Sequence, residues 1–374
     1  MWTRTYGGGL HEIGYFVQQT YDGGYIVAGY TTTIGAGTGD VYLIKTDEIG
    51  NILWTKTFGG ISSDVGYSAQ QTKDSGYIVV GYTRSFGAGN RDVYLIKTDT
   101  IGNLLWQKTF GGTGDDYGMS IQQTSDAGYI VSGSTTSFGT GDEDVYIIKT
   151  DGQGDVMFYK TIGGAGADAG NAIQQVNDGG YVIVGSTNSY GAGNSDVYLI
   201  KINVLGNTVW TKTFGGSSRD IGYSIQQTGN GNYIITGFTN SFGAGLSDVY
   251  LVKTDGNGNE LWSKTYGGGS GENGQSVQET NDGGYVIVGF TNSFGSGGND
   301  VYVIKTNTNG DTLFTKTIAR SGCDDNGNFI QQTSDGGYII AGDTRFFSSQ
   351  FPDVYLIKLV PGQVGVNEEN NLTC

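Results

Sequence analysis

The sequence contains few of the side chains on which metal sites and nucleophilic catalysis usually depend. Its 374 residues include one histidine (His11), two cysteines (Cys323 and Cys374) and two prolines. A histidine–cysteine zinc site needs about four ligands, and a Ser-His-Asp or Cys-His relay would have to use His11. Two isolated cysteines do not make a disulfide framework. The scarcity of proline excludes a collagen-like chain and a proline-rich disordered tract.

Positive charge and long apolar runs are scarce as well. Lys and Arg number 20 against 36 Asp and Glu, which gives a formal net charge of −16. We therefore expect neither nucleic acid nor an anionic membrane surface as a partner, because no cationic surface is available to displace counterions. No apolar run approaches the roughly 20 residues of a membrane-spanning helix. Met1-Trp2 leads directly into the first repeat strand, so we expect that a leader, if one existed, has been removed or was never part of this sequence.

Glycine and aromatic residues are abundant. The chain has 68 glycines, about 18% of its residues against a usual share of about 7%. It also has 25 tyrosines and 16 phenylalanines, while charged residues make up 15%. This composition indicates a packed β protein rather than an acidic disordered chain.

One motif divides the chain into seven copies of a single unit. The string Asp-Val-Tyr-(Leu/Ile/Val)-(Ile/Val)-Lys recurs at a spacing of 52 residues five times and then 53. It begins at Asp40, Asp92, Asp144, Asp196, Asp248, Asp300 and Asp353. A fixed period of this length is typical of a repeat architecture. Nothing between the copies resembles a linker, so the sequence predicts one domain over residues 1–359, followed by a flexible tail or linker over 360–374.

Each copy contains four β-type segments, here called strands a to d. In the second copy these are residues 66–72, 77–83, 92–97 and 105–110. An Asp-Ser-Gly turn joins strands a and b, and Asp-Gly-Gly stands there in other copies, as hairpin turns with positive φ favour. Strands b and c are apolar at nearly every position, which predicts that both faces of the sheet are covered. No segment has the sustained 3.6-residue period of a helix.

The pattern predicts an all-β, seven-bladed β-propeller with four antiparallel strands per blade. An antiparallel unit with two buried faces must lie between similar units, and radial closure achieves this for four to eight blades. A solenoid is the alternative, but tight hairpins favour meanders over coils. Residues Trp2–Tyr6 match strand d, and the last copy, which ends with Asp353–Leu359, lacks that strand. We therefore predict that the first strand completes the last blade.

Two kinds of connection should lie on opposite faces of the ring. The a–b and c–d turns are short and share what we call the short-turn face. The d–a loops (such as residues 59–65) and the b–c loops (such as 85–91) share the long-loop face, where we expect any ligand. A carboxylate precedes strand a in every copy: Glu12, Asp64, Asp116, Asp168, Asp220, Glu272 and Asp324, or Asp325 in the last copy. These residues either ring the channel mouth as a Ca²⁺ site or accept backbone N–H bonds in their own loops.

Other repeated side chains allow a binding and an architectural interpretation. The b–c loops carry the aromatic residues Phe86, Phe138, Tyr190, Phe242 and Phe294. These rings either stack on sugars or cover the core between blades. Paired glutamines in strand a, such as Gln70-Gln71, predict a polar channel lining or an amide network between blades. The Asp and Lys at the two ends of strand c, such as Asp40 and Lys45, are predicted to be architectural.

The unit resembles the tandem propeller repeats of secreted and cell-surface proteins of bacteria and archaea. The shared strings are Trp-x-Lys-Thr-Phe-Gly-Gly, Asp-Gly-Gly-Tyr-Ile-Val and Asp-Val-Tyr-Leu-Ile-Lys-Thr-Asp, and the resemblance covers residues 2–359. It implies an extracellular or surface location, and many such proteins have no assigned activity. The run from Asp99 to Trp106 is also similar to the tryptophan-docking motif of quinoprotein propellers, which implies that Trp54, Trp106, Trp210 and Trp262 each pack against the next blade. The Gly-His and Trp-Asp signatures of WD40 repeats are absent, as is a vicinal cysteine pair.

The sequence favours a non-catalytic binding or spacer module over an enzyme. We expect a monomer with a glycan or protein ligand on the long-loop face, and no cofactor apart from the Ca²⁺ considered above. The alternative is a carbohydrate-active enzyme that uses Asp324, Asp325 and Arg345 in the cleft of the irregular last copy.

Overall fold

The computed structural model describes residues 1–346, 351–361 and 372–373, and within them seven four-stranded antiparallel sheets form the blades of a propeller. Blade 1 contains β2 (Glu12–Gln19), β3 (Tyr25–Thr31), β4 (Asp40–Thr46) and β5 (Ile52–Phe58). Blade 2 contains β6 (Asp64–Gln71), β7 (Tyr77–Thr83), β8 (Asp92–Thr98) and β9 (Leu104–Phe110). Blade 3 contains β10 (Asp116–Gln123), β11 (Tyr129–Thr135), β12 (Asp144–Thr150) and β13 (Val156–Ile162). Blade 4 contains β14 (Asp168–Gln175), β15 (Tyr181–Thr187), β16 (Asp196–Ile202) and β17 (Thr208–Phe214). Blade 5 contains β18 (Asp220–Gln227), β19 (Tyr233–Thr239), β20 (Asp248–Thr254) and β21 (Glu260–Tyr266). Blade 6 contains β22 (Glu272–Glu279), β23 (Tyr285–Thr291), β24 (Asp300–Thr306) and β25 (Thr312–Ile318). Blade 7 contains β27 (Cys323–Gln332), β28 (Tyr338–Phe346), β29 (Asp353–Leu359) and, as its outer strand, β1 (Trp2–Tyr6).

The first strand closes the ring, as the sequence predicts. Strand β1 pairs antiparallel with β29, and Tyr6 lies opposite Val354. The corresponding pair inside the first blade is Phe58 opposite Val41, so the closing strand has the register of an ordinary strand d. Strand a of the last blade, β27, also contacts strand a of the first, β2. The prediction of a seven-bladed propeller is confirmed.

The hydrophobic core lies between the blades and not within any one of them. Neighbouring residues of β3 point to opposite sides: Ile26 packs in a cluster with Val79 of blade 2, while Val27 packs in a cluster with Leu356 of blade 7. All four side chains are almost completely buried. The continuous apolar character of strands b and c therefore reflects burial on both faces of every sheet.

The outer-strand tryptophans also join one blade to the next. The Trp54 ring of blade 1 lies 5.7 Å from the Tyr77 ring of blade 2, with the planes at 65°. The same contact recurs at centroid distances of 6.0 to 6.3 Å for Trp2–Tyr25, Trp106–Tyr129, Trp210–Tyr233 and Trp262–Tyr285. Gly102 in the c–d turn of blade 2 has a φ of +78°, and a Cβ there would lie 2.8 Å from the Trp54 ring. The packing implied by the tryptophan-docking resemblance is confirmed.

A buried lysine of strand c pairs with an aspartate of the a–b turn in six of the seven blades. The Lys45 ammonium is 2.9 Å from Asp22 of the a–b turn, and the Lys45 side chain is 4% exposed. Equivalent ion pairs join Lys97–Asp74, Lys149–Asp126, Lys201–Asp178, Lys305–Asp282 and Lys358–Asp335. In blade 5 the turn carries Asn230, and Lys253 instead contacts the hydroxyl and ring face of Tyr285. Burial lowers the pKa of Lys253, which has no carboxylate at this turn.

The irregular last blade makes a further backbone connection. Strand β26 (Arg320–Ser321) pairs in parallel with β30 (Leu372–Thr373). Cys323 is disulfide-bonded, and the only other cysteine in the sequence, Cys374, lies outside the described residues. Most of the predicted tail over 360–374 lies outside them too, so its flexibility stays a prediction. In the part of the chain that the structure describes, no helix is long and apolar enough to span a membrane.

Candidate functional site

The carboxylates predicted at the channel mouth begin strand a in blades 1 to 6, and in the last blade Asp325 lies two residues into β27; all seven are buried within their own blade. The Asp64 carboxylate accepts hydrogen bonds from the Gly60 backbone N–H (2.9 Å) and from the Ser85 hydroxyl (2.6 Å). Gly60 belongs to the d–a loop and Ser85 to the b–c loop, so one side chain fixes both long loops of a blade. The residues at this position are 0–1% exposed: Glu12, Asp64, Asp116, Asp168, Asp220, Glu272 and Asp325.

The last copy requires a choice that the sequence left open. Asp325 lies opposite Thr344 in the sheet, as Asp64 lies opposite Thr83, so Asp325 holds the equivalent position. Asp324 precedes it and forms an ion pair with Arg345. Among the described residues, no group of three or more His, Cys, Asp or Glu side chains is placed to hold one metal ion. The Ca²⁺ site stays a prediction, and the observed contacts are those of loop-fixing carboxylates.

The predicted loop aromatics cover the strand-c tyrosines. The Phe86 and Tyr94 rings lie 5.8 Å apart, and the equivalent pairs of the next four blades lie between 5.7 and 5.9 Å. These rings are nevertheless 37–48% exposed: Phe86, Phe138, Tyr190, Phe242 and Phe294. One face of each ring covers the core, and the remainder is available to a ligand on the long-loop face.

Sequence reasoning missed a third set of side chains, which line the long-loop end of the channel. In every blade, strand a contains a β-bulge directly after its glycine, for example between Gly66 and Ser68. The bulged residues all line one cavity of about 350 Å³: Tyr15, Tyr67, Met119, Asn171, Tyr223, Gln275 and Asn328. Bulges commonly redirect a side chain toward a functional site. The available signal was variability, because this position changes between copies while the preceding glycine does not.

Local packing explains why each bulge forms at the same place. A Cβ on Gly81 of strand b would lie 1.8 Å from the Val65 carbonyl oxygen of strand a. Gly66, opposite Gly81, is similarly confined, with a Cβ there 2.8 Å from the Val41 side chain of the preceding blade. Two glycines therefore allow the strands to approach closely, and the ladder resumes with the next residue displaced. That displacement sends the Tyr67 side chain to the cavity.

The cavity has an aromatic part and an amide part. The Tyr15 and Tyr67 rings meet edge to face at 5.1 Å. Burial raises the pKa of both hydroxyls, so they stay protonated and able to donate at neutral pH. The Asn171 side chain donates to the Gly222 carbonyl (2.9 Å), and Asn328 donates to the Gly14 carbonyl (3.0 Å). The arrangement can bind a ligand that offers both an apolar face and polar groups.

Two phenylalanines narrow the channel below this cavity. The Phe16 and Phe329 rings lie 4.5 Å apart, where blades 2 and 3 carry Ser68 and Ser120. These residues border both the upper cavity and a second one toward the short-turn face. The channel therefore consists of two cups with a common aromatic and serine waist.

Polar side chains of the last blade form the least regular part of the long-loop face. Asn326 donates to the Asp343 carboxylate at 3.0 Å, and burial raises the pKa of Asp343. Burial also raises the pKa of Asp325 to about 6 and that of Asp300, which begins strand c of the adjoining blade 6, to about 7. Residues 347–350 of the adjoining loop lie outside the described residues. The predicted cleft is thus described only on its Asp324–Arg345 side.

Comparison with known proteins supports the fold without assigning a family. No family model matches the chain. The regulatory protein FlaEY of Caulobacter vibrioides is 27% identical over 174 residues, which cover 40% of this chain and 18% of that protein's length. The chain thus spans less than a fifth of this curated relative.

Solved structures of several different proteins share this fold. The WD40 domain of Neurospora crassa Pan2 matches with a TM-score of 0.53 and 9% identity, covering 96% of this chain and 92% of that one. YCF48 bound to D1 peptide matches with a TM-score of 0.53 and 10% identity, covering 96% of this chain and 94% of that one. The polysaccharide lyase Uly1 matches with a TM-score of 0.52 and 13% identity, covering 95% of this chain and 91% of that one. At such identities the likeness shows the WD40-like seven-bladed fold alone.

Proposed function

We propose that this propeller is a non-catalytic binding module of a secreted or surface protein, with a glycan as its ligand on the long-loop face. The observation that carries the proposal is the cavity at the channel mouth. In a unit repeated with little change, the seven bulged positions carry four residue types (Tyr, Met, Asn and Gln), and all seven line that cavity. Tyrosine faces suit the apolar faces of sugar rings, and the amide groups suit their hydroxyls.

Two further features support the same proposal. The half-exposed loop aromatics stand in five successive blades on that face, which suits a repetitive chain bound at several points. The disulfide at Cys323 is typical of proteins that fold in an oxidising compartment, as secreted and surface proteins do.

A glycan array probed with the whole chain tests the proposal, with EDTA and Ca²⁺ controls for the carboxylate hypothesis. We expect Tyr67→Ala or Tyr223→Ala to weaken binding at least tenfold, because each removes a stacking face from the cavity. Tyr21→Ala is the matched control, since Tyr21 is a 72% exposed tyrosine on the short-turn face. Uniformly flat responses across the array would refute the glycan ligand. Equal losses in Tyr21→Ala would refute the location.

A carbohydrate-active enzyme is the second candidate, and the carboxylates where blade 6 meets the last blade support it. Asp300 and Asp325 have pKa values of about 7 and about 6, and a general acid works best with a pKa near the operating pH. Asp324 lies beside them and is paired with Arg345. A reducing-end and unsaturated-product assay on polysaccharides tests this candidate. Turnover that survives the double variant Asp324→Asn/Asp325→Asn would exclude this site.

A further inference from the structure

The short-turn end of the channel forms a second cup, of about 340 Å³, lined by the first glutamine of every blade. These residues are Gln18, Gln70, Gln122, Gln174, Gln226, Gln278 and Gln331. Of the residues that line the cup, all of which are described, none is charged. Seven neutral amides therefore converge on one volume.

The hydrogen bonds between blades fix the direction of each amide. The Gln70 Oε1 atom accepts from the Gln123 backbone N–H of the next blade at 2.6 Å. The same bond joins every neighbouring pair around the ring at 2.5 to 2.7 Å. Because a backbone N–H can only donate, the atom that it meets must be the amide oxygen. In the described part of the chain, none of the seven Nε2 groups donates to a protein acceptor, so these NH₂ groups are left for the cup.

The waist of the channel adds donors in the same way. The Ser120 hydroxyl oxygen accepts from the Ile173 backbone N–H at 3.3 Å, and Ser224 accepts from Val277 at 3.2 Å. Acceptance from the backbone leaves each hydroxyl hydrogen to point elsewhere. The cup is therefore rich in N–H and O–H donors, and the seven amide oxygens and the hydroxyl oxygens of Ser120 and Ser224 each accept from the next blade.

We infer that this cup binds a small oxyanion, of the sulfate or phosphate class. Sugars and water both donate and accept hydrogen bonds, whereas an oxyanion mainly accepts them, and hydrogen bonds to a charged acceptor are the stronger ones. The net charge of −16 opposes an anion at long range. That field is screened beyond about 8 Å at physiological salt, and the lysine–aspartate pairs at this face are neutral in sum. The donors in contact with the ion therefore dominate.

A second ring of glutamines supplies a matched control. The second glutamine of each strand a accepts from a turn N–H of the preceding blade, for example Gln71 from Tyr21 at 2.9 Å. In blade 6 this outer position is already Glu279, which accepts from Gly229 at 2.7 Å. A carboxylate can therefore replace the amide while keeping its acceptor role. The substitution removes an NH₂ donor at either position, but an outer one such as that of Gln227 donates to its own turn, at the Gly231 carbonyl (3.3 Å), whereas an inner one is left for the cup.

Equilibrium dialysis of radiolabelled sulfate, and separately of phosphate, at fixed ionic strength tests the inference. A direct measurement is needed because sulfate stabilises proteins generally through exclusion from their surfaces. We expect saturable binding of one ion per chain. The inner double variant Gln122→Glu/Gln226→Glu should weaken it at least tenfold, whereas the outer variant Gln123→Glu/Gln227→Glu, with the same added charge, should keep it within about threefold. The single variant Gln174→Glu replaces the inner double variant if that protein does not fold. Absence of saturable binding to the unaltered chain, or equal losses in the inner and outer variants, would overturn the inference.

Discussion

Closure of the ring by the first strand makes Tyr6 as important as an internal core residue. Tyr6 is 6% exposed, and its hydroxyl donates to the Gly50 carbonyl of blade 1 at 2.7 Å. Tyr266 occupies the equivalent place in blade 5 and donates to the Gly310 carbonyl at 2.5 Å. Truncation of a buried aromatic to alanine costs about 3–5 kcal/mol. We therefore predict that Tyr6→Ala lowers the free energy of unfolding by about 4 kcal/mol, and that Tyr266→Ala, at the equivalent but partly buried ring, lowers it by a comparable amount.

The milder variants separate the hydrogen bond from the packing. Phenylalanine stands at this position in other blades, as at Phe58 and Phe110, so Tyr6→Phe should lose only the bond to Gly50. One such bond contributes about 1 kcal/mol. An unfolding entropy of about 2.1 cal/mol/K per residue over 374 residues gives about 0.8 kcal/mol per kelvin. The expected decreases in Tm are therefore about 5 °C for Tyr6→Ala and about 1 °C for Tyr6→Phe.

Guanidinium denaturation followed by tryptophan fluorescence, together with calorimetry, measures both effects. Agreement between the Tyr6 and Tyr266 variants is the result expected of a closed ring. A cost below about 1 kcal/mol for Tyr6→Ala, beside several kcal/mol for Tyr266→Ala, would show that the first strand is dispensable. The assignment of the two faces would then lose its basis.

Three other predictions concern carboxylates and their partners. Asp64→Ala should lower the free energy of unfolding by about 2 kcal/mol or more in chemical denaturation, because it leaves the Gly60 N–H and the Ser85 hydroxyl without their acceptor. An equal Tm for the unaltered chain in EDTA and in Ca²⁺ would contradict Ca²⁺ binding by these carboxylates. Asn230→Asp should raise stability by about 0.5–1 kcal/mol by giving Lys253 the ion pair of the other blades, and an unchanged Tm would contradict this. Burial acts upward on the pKa of Asp335, but hydrogen bonds from Lys358 and Thr333 bring it down to about 2. This pKa is below the unfolded value near 4, so the ionised Asp335 stabilises the fold fully above pH 4, and this stabilisation is lost as the pH falls toward 2. The free energy of unfolding of Asp335→Asn should therefore fall less steeply between pH 4 and pH 2 than that of the unaltered chain, as acid titration of unfolding would measure.

Strong repetition explains how much of the fold the sequence predicted. A sheet with two apolar faces cannot be stable alone, so seven such units have to cover one another, and the spare strand at Trp2–Tyr6 fits the vacancy beside Asp353–Leu359. Turn glycines, the lysine at the end of strand c and the outer-strand tryptophans followed from local chemistry in the same way. The same residues stand at the same places in successive copies, so the repeats support one another in indicating a structural role.

The candidate site was predicted less completely, because it depends on differences between copies and not on their likeness. The carboxylates and loop aromatics were identified as repeated residues, and the structure places both in contacts within their own loops and blades. The bulged residues escaped notice because alternation assigns Tyr67 and its equivalents to a sheet face, whereas the bulge turns them toward the channel. In the last copy, an inserted residue made Asp324 and Asp325 indistinguishable until the register was known.

Local preference and burial pattern, both properties of short segments, sufficed to specify seven meanders and the order of their strands. Which side chains meet where the last blade joins the first is a different matter, since residues such as Phe16 and Phe329 are over 300 positions apart along the chain and become neighbours only when the ring closes. The two cups, their aromatic waist and the direction of the glutamine amides were decided at that closure, because each depends on contacts between blades that no single unit contains.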